Sequence, residues 1–185
     1  MEDKVQDLAS FRVPTGFRGR SQLTCQLWWI VQATLFRLSP QPAYRWRAML
    51  LRAFGAVVGS NTRIRPTARF TYPWKIKIGD NSWIGDRAEL YCLVPIIIGD
   101  DVCISQDSYL CTGSHDMTKR SFDYDCAEIL VQDQVWIATG CFVSPGVTLK
   151  KGAVVGARSL VLSDVEEGAV YAGQPARRIR DRHQQ

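Results

Sequence analysis

An apolar residue recurs every six positions over most of this chain, and that spacing excludes most architectures. The series reads Val58, Ile64, Phe70, then Ile78, Ile84, Leu90, then Ile98, Ile104, Leu110. It resumes at Val131 and continues through Ile137, Val143, Leu149, Val155 and Val161. A period of two would mark ordinary alternating strands, and a period near 3.6 an amphipathic helix. A sustained period of six fits neither. It predicts an all-β solenoid of triangular section, in which each side is a short strand and each corner a tight turn. One apolar side chain per side points inward, and stacked coils share a continuous core.

The intervening residues agree. Four places after most ladder positions stands a small residue or valine: Thr62, Ala68, Ser82, Ala88, Val102, Ser108, Val135, Cys141, Val147, Ala153 and Ser159. Such residues suit a crowded corner. Gly, Asn, Asp and Pro occupy turn positions at 59–61, 79–81, 99–101 and 144–146. Val58, Ile78 and Ile98 are 20 apart, two more than three hexapeptides require. The surplus predicts a widened corner or bulge after Ile76 and Ile96.

A solenoid has open ends that must be covered. Residues 1–20 read as an irregular arm. Residues 21–38 have helical character, with Leu23, Leu27, Ile30 or Val31, Thr34 and Leu38 on one stripe. A second helix is expected over 42–54, with Trp46, Met49, Leu50 and Ala53 on its apolar face. Two readings of these helices stay open together: packing on the first coil, or shallow membrane contact through Trp28, Trp29 and Phe36. After Val161 the ladder stops, and a hairpin-like return followed by a short basic helix from about Pro175 is expected. The chain thus divides into a cap at 1–57, a β-helix at 58–163 with a loop at 111–130, and a C-terminal return at 164–185.

Composition narrows the function classes. No stretch reaches the 18 or more apolar residues of a membrane span, and the start lacks a secretory signal pattern. A cytoplasmic protein is expected. The six cysteines form no CxxC pair, so reduced thiols are expected rather than disulfides or a structural zinc. Residues 1–75 hold 12 Lys/Arg against 3 Asp/Glu, whereas residues 76–185 hold 11 against 15. That asymmetry suits an anionic surface or cosubstrate. No nucleic-acid motif accompanies it, and nucleic-acid binding is not expected.

The ladder breaks once, at residues 111–130, where charged and aromatic residues cannot follow the triangle. The segment holds His115, one of two histidines in the chain. A loop on a rigid scaffold is a favoured place for catalysis, and a neutral imidazole is suited to taking a proton from a hydroxyl. Cys111 raises a Cys–His dyad as an alternative. Asp107, eight residues before His115, could bind an acceptor hydroxyl or orient the imidazole. Asp116, Asp123, Asp125 and Glu128 are further candidates for the second ring nitrogen, and Lys119, Arg120 and Tyr124 for substrate contact. There is no GxSxG, HxH or HxxxH pattern, and no metal site is expected.

The repeat over residues 58–161 resembles that of the left-handed parallel β-helix acyltransferases: Leu/Ile/Val, then Gly/Ala/Glu/Asp, two free positions, Ser/Thr/Ala/Val, one free position. The stretch VVGARSLVLSDVEEGAVYAGQPARRIR at 154–180 resembles their end signature. The similarity is closest to the sugar O-acetyltransferases of colanic acid biosynthesis, through FRVPTGFRGR at 11–20, QLWWIVQATLF at 26–36, SPQPAYRWRAMLLRAFGA at 39–56, TYPWKIKIGD at 71–80 and ISQDSYLCTGSHD at 104–116. The resemblance implies a homotrimer that binds acetyl-CoA between neighbouring prisms, with no metal. His115 would be general base on a sugar hydroxyl, which attacks the thioester directly. Trp136, Ala138, Gly156, Ala157, Arg158, Ser159, Gly173, Pro175 and Arg178 match the cofactor-binding stretches. Asp107 stands where related galactoside and maltose enzymes carry Asn, so its acceptor contact differs, and Ala138 replaces their usual Gly. The implied acceptor is a saccharide of an exopolysaccharide repeat unit built on a lipid carrier, with the enzyme peripheral at the inner membrane face. The rivals are acetylation of a free saccharide, antibiotic or amino sugar, and a non-catalytic scaffold. A zinc hydratase with three histidine ligands is opposed by the count of two.

Overall fold

The six-residue ladder becomes three inward columns of a parallel β-helix. The computed structural model describes residues 4–183. The first side stacks strands Val57–Val58, Ile76–Ile78, Ile96–Ile98, Ile129–Val131 and Thr148–Leu149. In register, Val58, Ile78, Ile98, Val131 and Leu149 lie one above another. The second side stacks Ile64, Ile84, Ile104, Ile137 and Val155. The third stacks Phe70, Leu90, Leu110, Val143 and Val161. Every ladder residue and every small residue four places on is buried. One aliphatic side chain per side per coil fills the prism, which is why a period of six survives the change of direction at each corner.

The corners are built by short-range chemistry repeated between coils. Between the first and second sides, Asp100 Oδ1 accepts the Asp80 amide at 2.7 Å, and Asp133 Oδ1 accepts that of Asp100 at 2.9 Å. Asn61, Asn81, Asp101 and Gln134 adopt left-handed backbone there, a conformation Asn and Asp tolerate better than most residues. At Gly79 a Cβ would stand 2.5 Å from the Gly99 carbonyl carbon, so stacking itself requires glycine. The surplus residues widen the corner between the third and first sides, at 72–75 and 92–95. They precede Ile76 and Ile96 rather than follow them.

The N-terminal cap satisfies the edge of the first coil. Helix α1 (Gln22–Val31) is capped by Ser21 and runs into a π turn, Gln32–Phe36. Helix α2 spans Tyr44–Ala53. Each side of the prism presents backbone groups that no preceding coil can pair. Arg52 donates to the Val58 carbonyl at 2.7 Å, and Arg47 to that of Ile64 at 2.6 Å. On the third side, Trp28 Nε1 donates to the Phe70 carbonyl at 2.8 Å and Gln32 Oε1 accepts its amide at 2.7 Å.

Expectations for the cap helices and for the tail are corrected here. The stripe Leu23, Leu27, Ile30 and Leu38 faces outward, while Cys25, Trp28 and Phe36 face the core. Trp28 and Phe36 are fully buried and cannot touch a membrane. On α2, Leu50 is buried but Trp46 and Met49 are exposed. The cap is anchored by hydrogen-bonding side chains at the prism edge, which an apolar-periodicity count does not weigh. The basic helix expected from about Pro175 is instead a strand, Ala176–Asp181, antiparallel to Ala169–Gly173 with Gly173 opposite Ala176. Strand Ala169–Gly173 itself adds to Val154–Val155. An open sheet edge supplies partners at once, whereas six residues are too few to sustain an isolated helix.

Candidate active site

The chain leaves the prism at the widened corner over residues 112–128, less than the 111–130 expected, because Cys111 and Ile129–Val131 still pair within the prism, and the excursion forms an antiparallel hairpin. Strand Gly113–His115 pairs with Tyr124–Cys126, placing His115 opposite Tyr124. The base of the hairpin sits against Leu93 and Tyr91, which leave no room for a side chain at Gly113. His115 is half-buried. Its Nδ1 lies 2.7 Å from the carbonyl oxygen of Phe122. A carbonyl only accepts, so Nδ1 carries the proton, and in the neutral ring Nε2 holds the free lone pair. The carbonyl is aimed by a left-handed backbone at Phe122, φ 54°. This is an unfavourable conformation for a bulky residue and the kind of strain that clusters at functional sites.

Aromatic rings fix the imidazole plane. The Phe122 ring stacks on His115 at 4.2 Å, and Tyr124 lies at 4.9 Å. The N-terminal arm supplies the rest. Phe11 meets His115 edge-on at 5.8 Å, and Phe17 stacks on Tyr124 at 4.6 Å. The Asp7 amide donates to the Arg120 carbonyl at 2.8 Å. The arm is tied in turn to the widened corner: Trp74 Nε1 donates to Arg18 O and Lys75 Nζ to Phe17 O, both at 2.6 Å. Sequence reading missed this role. Its only trace was two phenylalanines in an otherwise polar segment.

Among the described residues the hydrogen-bond partner of the imidazole is the Phe122 carbonyl and not a carboxylate. Asp116 bonds Thr118, and Asp123 lies 3.5 Å from Lys119. Cys111 donates its thiol to the Gly113 carbonyl at 3.1 Å. Asp107 lies at the corner between the second and third sides, in a two-point ion pair with Arg87 at 2.6 and 2.8 Å. The Arg87 guanidinium holds its carboxyl below the usual carboxylate range.

The residues matched to cofactor stretches gather mostly along that same corner. Ala138, Gly156, Ala157, Arg158 and Gly173 come from successive coils, joined through Gly140 N to Gln106 O at 3.0 Å and Arg158 N to Thr139 O at 2.8 Å. Trp136 is half-exposed beside it on the second side, its Nε1 3.1 Å from Ser105 Oγ. Pro175 stands in the return turn next to Gln174, whose side chain donates to Arg158 O at 2.7 Å. The Ser159 hydroxyl is buried and bonded to Gly156 O at 2.6 Å, so its side chain faces inward. Arg178 pairs with Glu166 at 3.1 Å and with Asp181. Within one chain, therefore, His115 leaves from one margin of the third side and this corner forms the other. Among the described residues no group of His, Cys, Asp and Glu could hold a metal ion.

No family model matches the chain. Individual proteins do. The chain is 52% identical over 178 residues to Putative colanic acid biosynthesis acetyltransferase WcaF of Escherichia coli K12, covering 96% of this chain and 98% of that one. It is 30% identical over 138 residues to the galactoside O-acetyltransferase of the same organism, covering 73% and 68%. Among solved structures, the hexapeptide-repeat acetyltransferase VCA0836 of Vibrio cholerae complexed with acetyl-CoA superposes with TM-score 0.79 at 27% identity, over 86% of this chain and 87% of that one. A galactoside acetyltransferase in complex with coenzyme A superposes with TM-score 0.80 at 25% identity, over 91% and 84%. The chain belongs to the hexapeptide-repeat acyltransferases and is an acetyl-CoA-dependent acetyltransferase. Within that family it is similar over 96% of its length to Putative colanic acid biosynthesis acetyltransferase WcaF.

Proposed function

We propose that this enzyme transfers the acetyl group of acetyl-CoA to a hydroxyl of an exopolysaccharide repeat unit, with His115 as general base. The observation that carries the reading is the bond between His115 Nδ1 and the Phe122 carbonyl, which leaves Nε2 as the proton acceptor. In the step, Nε2 takes the hydroxyl proton as the sugar oxygen attacks the thioester carbonyl. The tetrahedral oxyanion collapses, the carbon–sulfur bond breaks, and the thiolate leaves with the proton returned from the imidazolium. No acyl-enzyme is needed.

Acetyl-CoA is assigned to the corner formed by Ala138, Gly156, Ala157, Arg158 and Gly173, with Trp136 and Pro175 as apolar contacts. Arg178 lies on the adjoining return strand, where exchange of its carboxylate partners for a phosphate would recruit it. Asp107 and Arg87 share this margin and are assigned to the acceptor. Because His115 stands at the far margin of the third side, a productive site joins the histidine hairpin of one protomer to the cofactor corner of a neighbour. This supports a homotrimer. Similarity to WcaF over the full length supports a colanic-acid-like acceptor. An acceptor built on a lipid carrier places the enzyme peripherally at the inner face of the cytoplasmic membrane.

Acetyl transfer to a panel of exopolysaccharide repeat fragments, free sugars, amino sugars and chloramphenicol tests the reading. His115→Ala is expected to lower turnover by roughly 10²–10⁴ on the preferred acceptor. Undiminished turnover would remove His115 from the mechanism, and preference for a non-saccharide acceptor would overturn the substrate assignment.

A further inference from the structure

The N-terminal cap carries an apolar face that none of the described residues covers. Leu23 and Leu27 are 79% and 51% exposed along α1, followed by Ile30 at 60%. The π turn inserts a residue, so the stripe steps five places to Leu35 and then to Leu38, 53% and 78% exposed. Trp46 and Met49 of α2 extend it sideways, and Trp46 Nε1 ties the two segments by donating to Leu35 O at 3.0 Å. Leu35, Leu38, Pro40, Ala43 and Trp46 line an open groove of about 410 Å³. So many exposed large apolar residues in one place mark an interaction site.

Charge selects the occupant. Residues 8–79 contain 12 Lys/Arg and no Asp or Glu. Arg37 and Arg45 adjoin stripe residues Leu38 and Trp46 along the chain, are exposed, and take part in no ion pair among the described residues. A second copy of this chain docked face to face would set Arg37 and Arg45 against the same arginines of its partner with no acidic residue of 8–79 to offset them, which electrostatic repulsion opposes. An anionic lipid surface meets both demands, taking the leucines and Trp46 into the acyl boundary and the arginines at the headgroups. We infer that the face formed by Leu23, Leu27, Ile30, Leu35, Leu38 and Trp46 is a docking surface for an anionic membrane. It replaces Trp28 and Phe36, which are core. The inference deepens the peripheral location proposed above and rests on that reading only for its biological setting.

Cosedimentation of the full chain with phosphatidylcholine vesicles, with and without phosphatidylglycerol and in the absence of any acceptor, tests it. The native chain is expected to pellet with the anionic vesicles at low salt and to be partly released at high salt. Leu27→Glu with Leu38→Glu is expected to weaken binding at least about tenfold. Arg37→Glu with Arg45→Glu is expected to weaken binding to anionic vesicles only. Both variants should keep the native Tm and native acetyl transfer to a soluble acceptor, since these side chains are exposed and none is assigned to the site. Three outcomes overturn the inference: no binding of the native chain at low salt, unchanged binding of the Leu27/Leu38 variant, or a larger assembly in sedimentation velocity that this variant abolishes while vesicles are ignored. Docking is read without turnover, so a chain that binds vesicles but acetylates no saccharide overturns the functional reading and leaves this one standing.

Discussion

His115 donates through Nδ1 to the Phe122 carbonyl at 2.7 Å while the Phe122 ring stacks on the imidazole at 4.2 Å. One residue thus sets both the tautomer and the plane of the ring. His115→Gln separates the two parts of this arrangement. The glutamine amide can still donate to Phe122 O, but it cannot accept a proton. The expected result is a native circular dichroism spectrum and native acetyl-CoA affinity, with turnover lowered roughly 10²–10⁴-fold. A variant that binds acetyl-CoA but keeps its rate would show that some other group removes the proton.

The arm gives a second, indirect handle on the same histidine. Phe17 stacks on Tyr124 and its carbonyl is held by Lys75, so it reaches the imidazole through Tyr124, whose ring lies against His115. Phe17→Ala is expected to cost about 1–2 kcal/mol, less than a fully buried phenylalanine because the ring is half-exposed. More tellingly, kcat should fall about tenfold with KM for acetyl-CoA unchanged, a loss that misplacement of a catalytic group readily produces. Phe17→Tyr should restore it. Equal losses in kcat and thermal stability for several unrelated arm substitutions would argue for a merely structural arm.

The uneven legibility of this chain has a physical origin. The ladder was readable because each inward position on a two- or three-residue strand admits only an apolar side chain, and 15 such positions repeat in phase. The break around His115 was readable for the same reason in reverse. What holds His115 was not. The search among Asp107, Asp116, Asp123, Asp125 and Glu128 weighed side chains, whereas the partner is a backbone carbonyl made available by one left-handed residue. The Leu23–Leu38 stripe was legible as a stripe but its direction was not, because Trp28, Gln32, Arg47 and Arg52 anchor the cap through hydrogen bonds to the prism edge. The tail Ala176–Asp181 was misread because pairing with an existing strand outweighs local composition.

Cys111 provides a test of the rival nucleophile. Its thiol is buried and turned to Gly113 O, so Cys111→Ala is expected to leave turnover within about threefold of native, well under the loss for a nucleophile. Thiol chemistry should follow burial. Cys92 is fully buried, and burial pushes its thiol up to about 11. The thiolate is the reactive form, and it accumulates only as the pH rises through that value. Iodoacetamide at pH about 8, near the ordinary cysteine range, is therefore expected to leave Cys92 unmodified in the native protein and to reach it after unfolding, as peptide mapping would show.

Asp107 and Arg87 predict a pH response. The guanidinium lowers the Asp107 carboxyl from its ordinary value, so the pair is complete above the ordinary carboxylate range and is lost only as the pH falls through the lowered value. Between pH about 7 and about 5, both above an unperturbed aspartate, KM for the acceptor should show no titration from this pair. Asp107→Asn removes the charge but keeps the shape. It is expected to raise KM for the acceptor about fivefold, the size of one lost hydrogen bond, with acetyl-CoA affinity unchanged. A change confined to acetyl-CoA would move Asp107 from the acceptor to the cosubstrate.

Arg47 makes the strongest stability prediction, because it is fully buried and no carboxylate pairs with it in the hydrogen-bond network. Its guanidinium donates to the carbonyls of Ile64, Pro40 and Gln41 at 2.6, 2.9 and 2.6 Å, and to Ser39 Oγ at 2.8 Å. Burial lowers its pKa from the usual arginine value, and Tyr44 partly opposes that. Arg47→Met fills comparable space but leaves the buried Ile64 carbonyl unpaired and removes three part-buried bonds to Ser39, Pro40 and Gln41. Buried acceptors left unpaired cost about 1–3 kcal/mol each before relaxation, so a net loss of about 3 kcal/mol is expected, or roughly 6–12 °C in Tm for a chain this long. Arg47→Lys should recover only part of it, since a single ammonium cannot span acceptors placed for a planar fork. Thermal unfolding followed by circular dichroism reads the difference, and a Tm within a degree or two of native for the Met variant would show that the cap does not depend on closing the first coil.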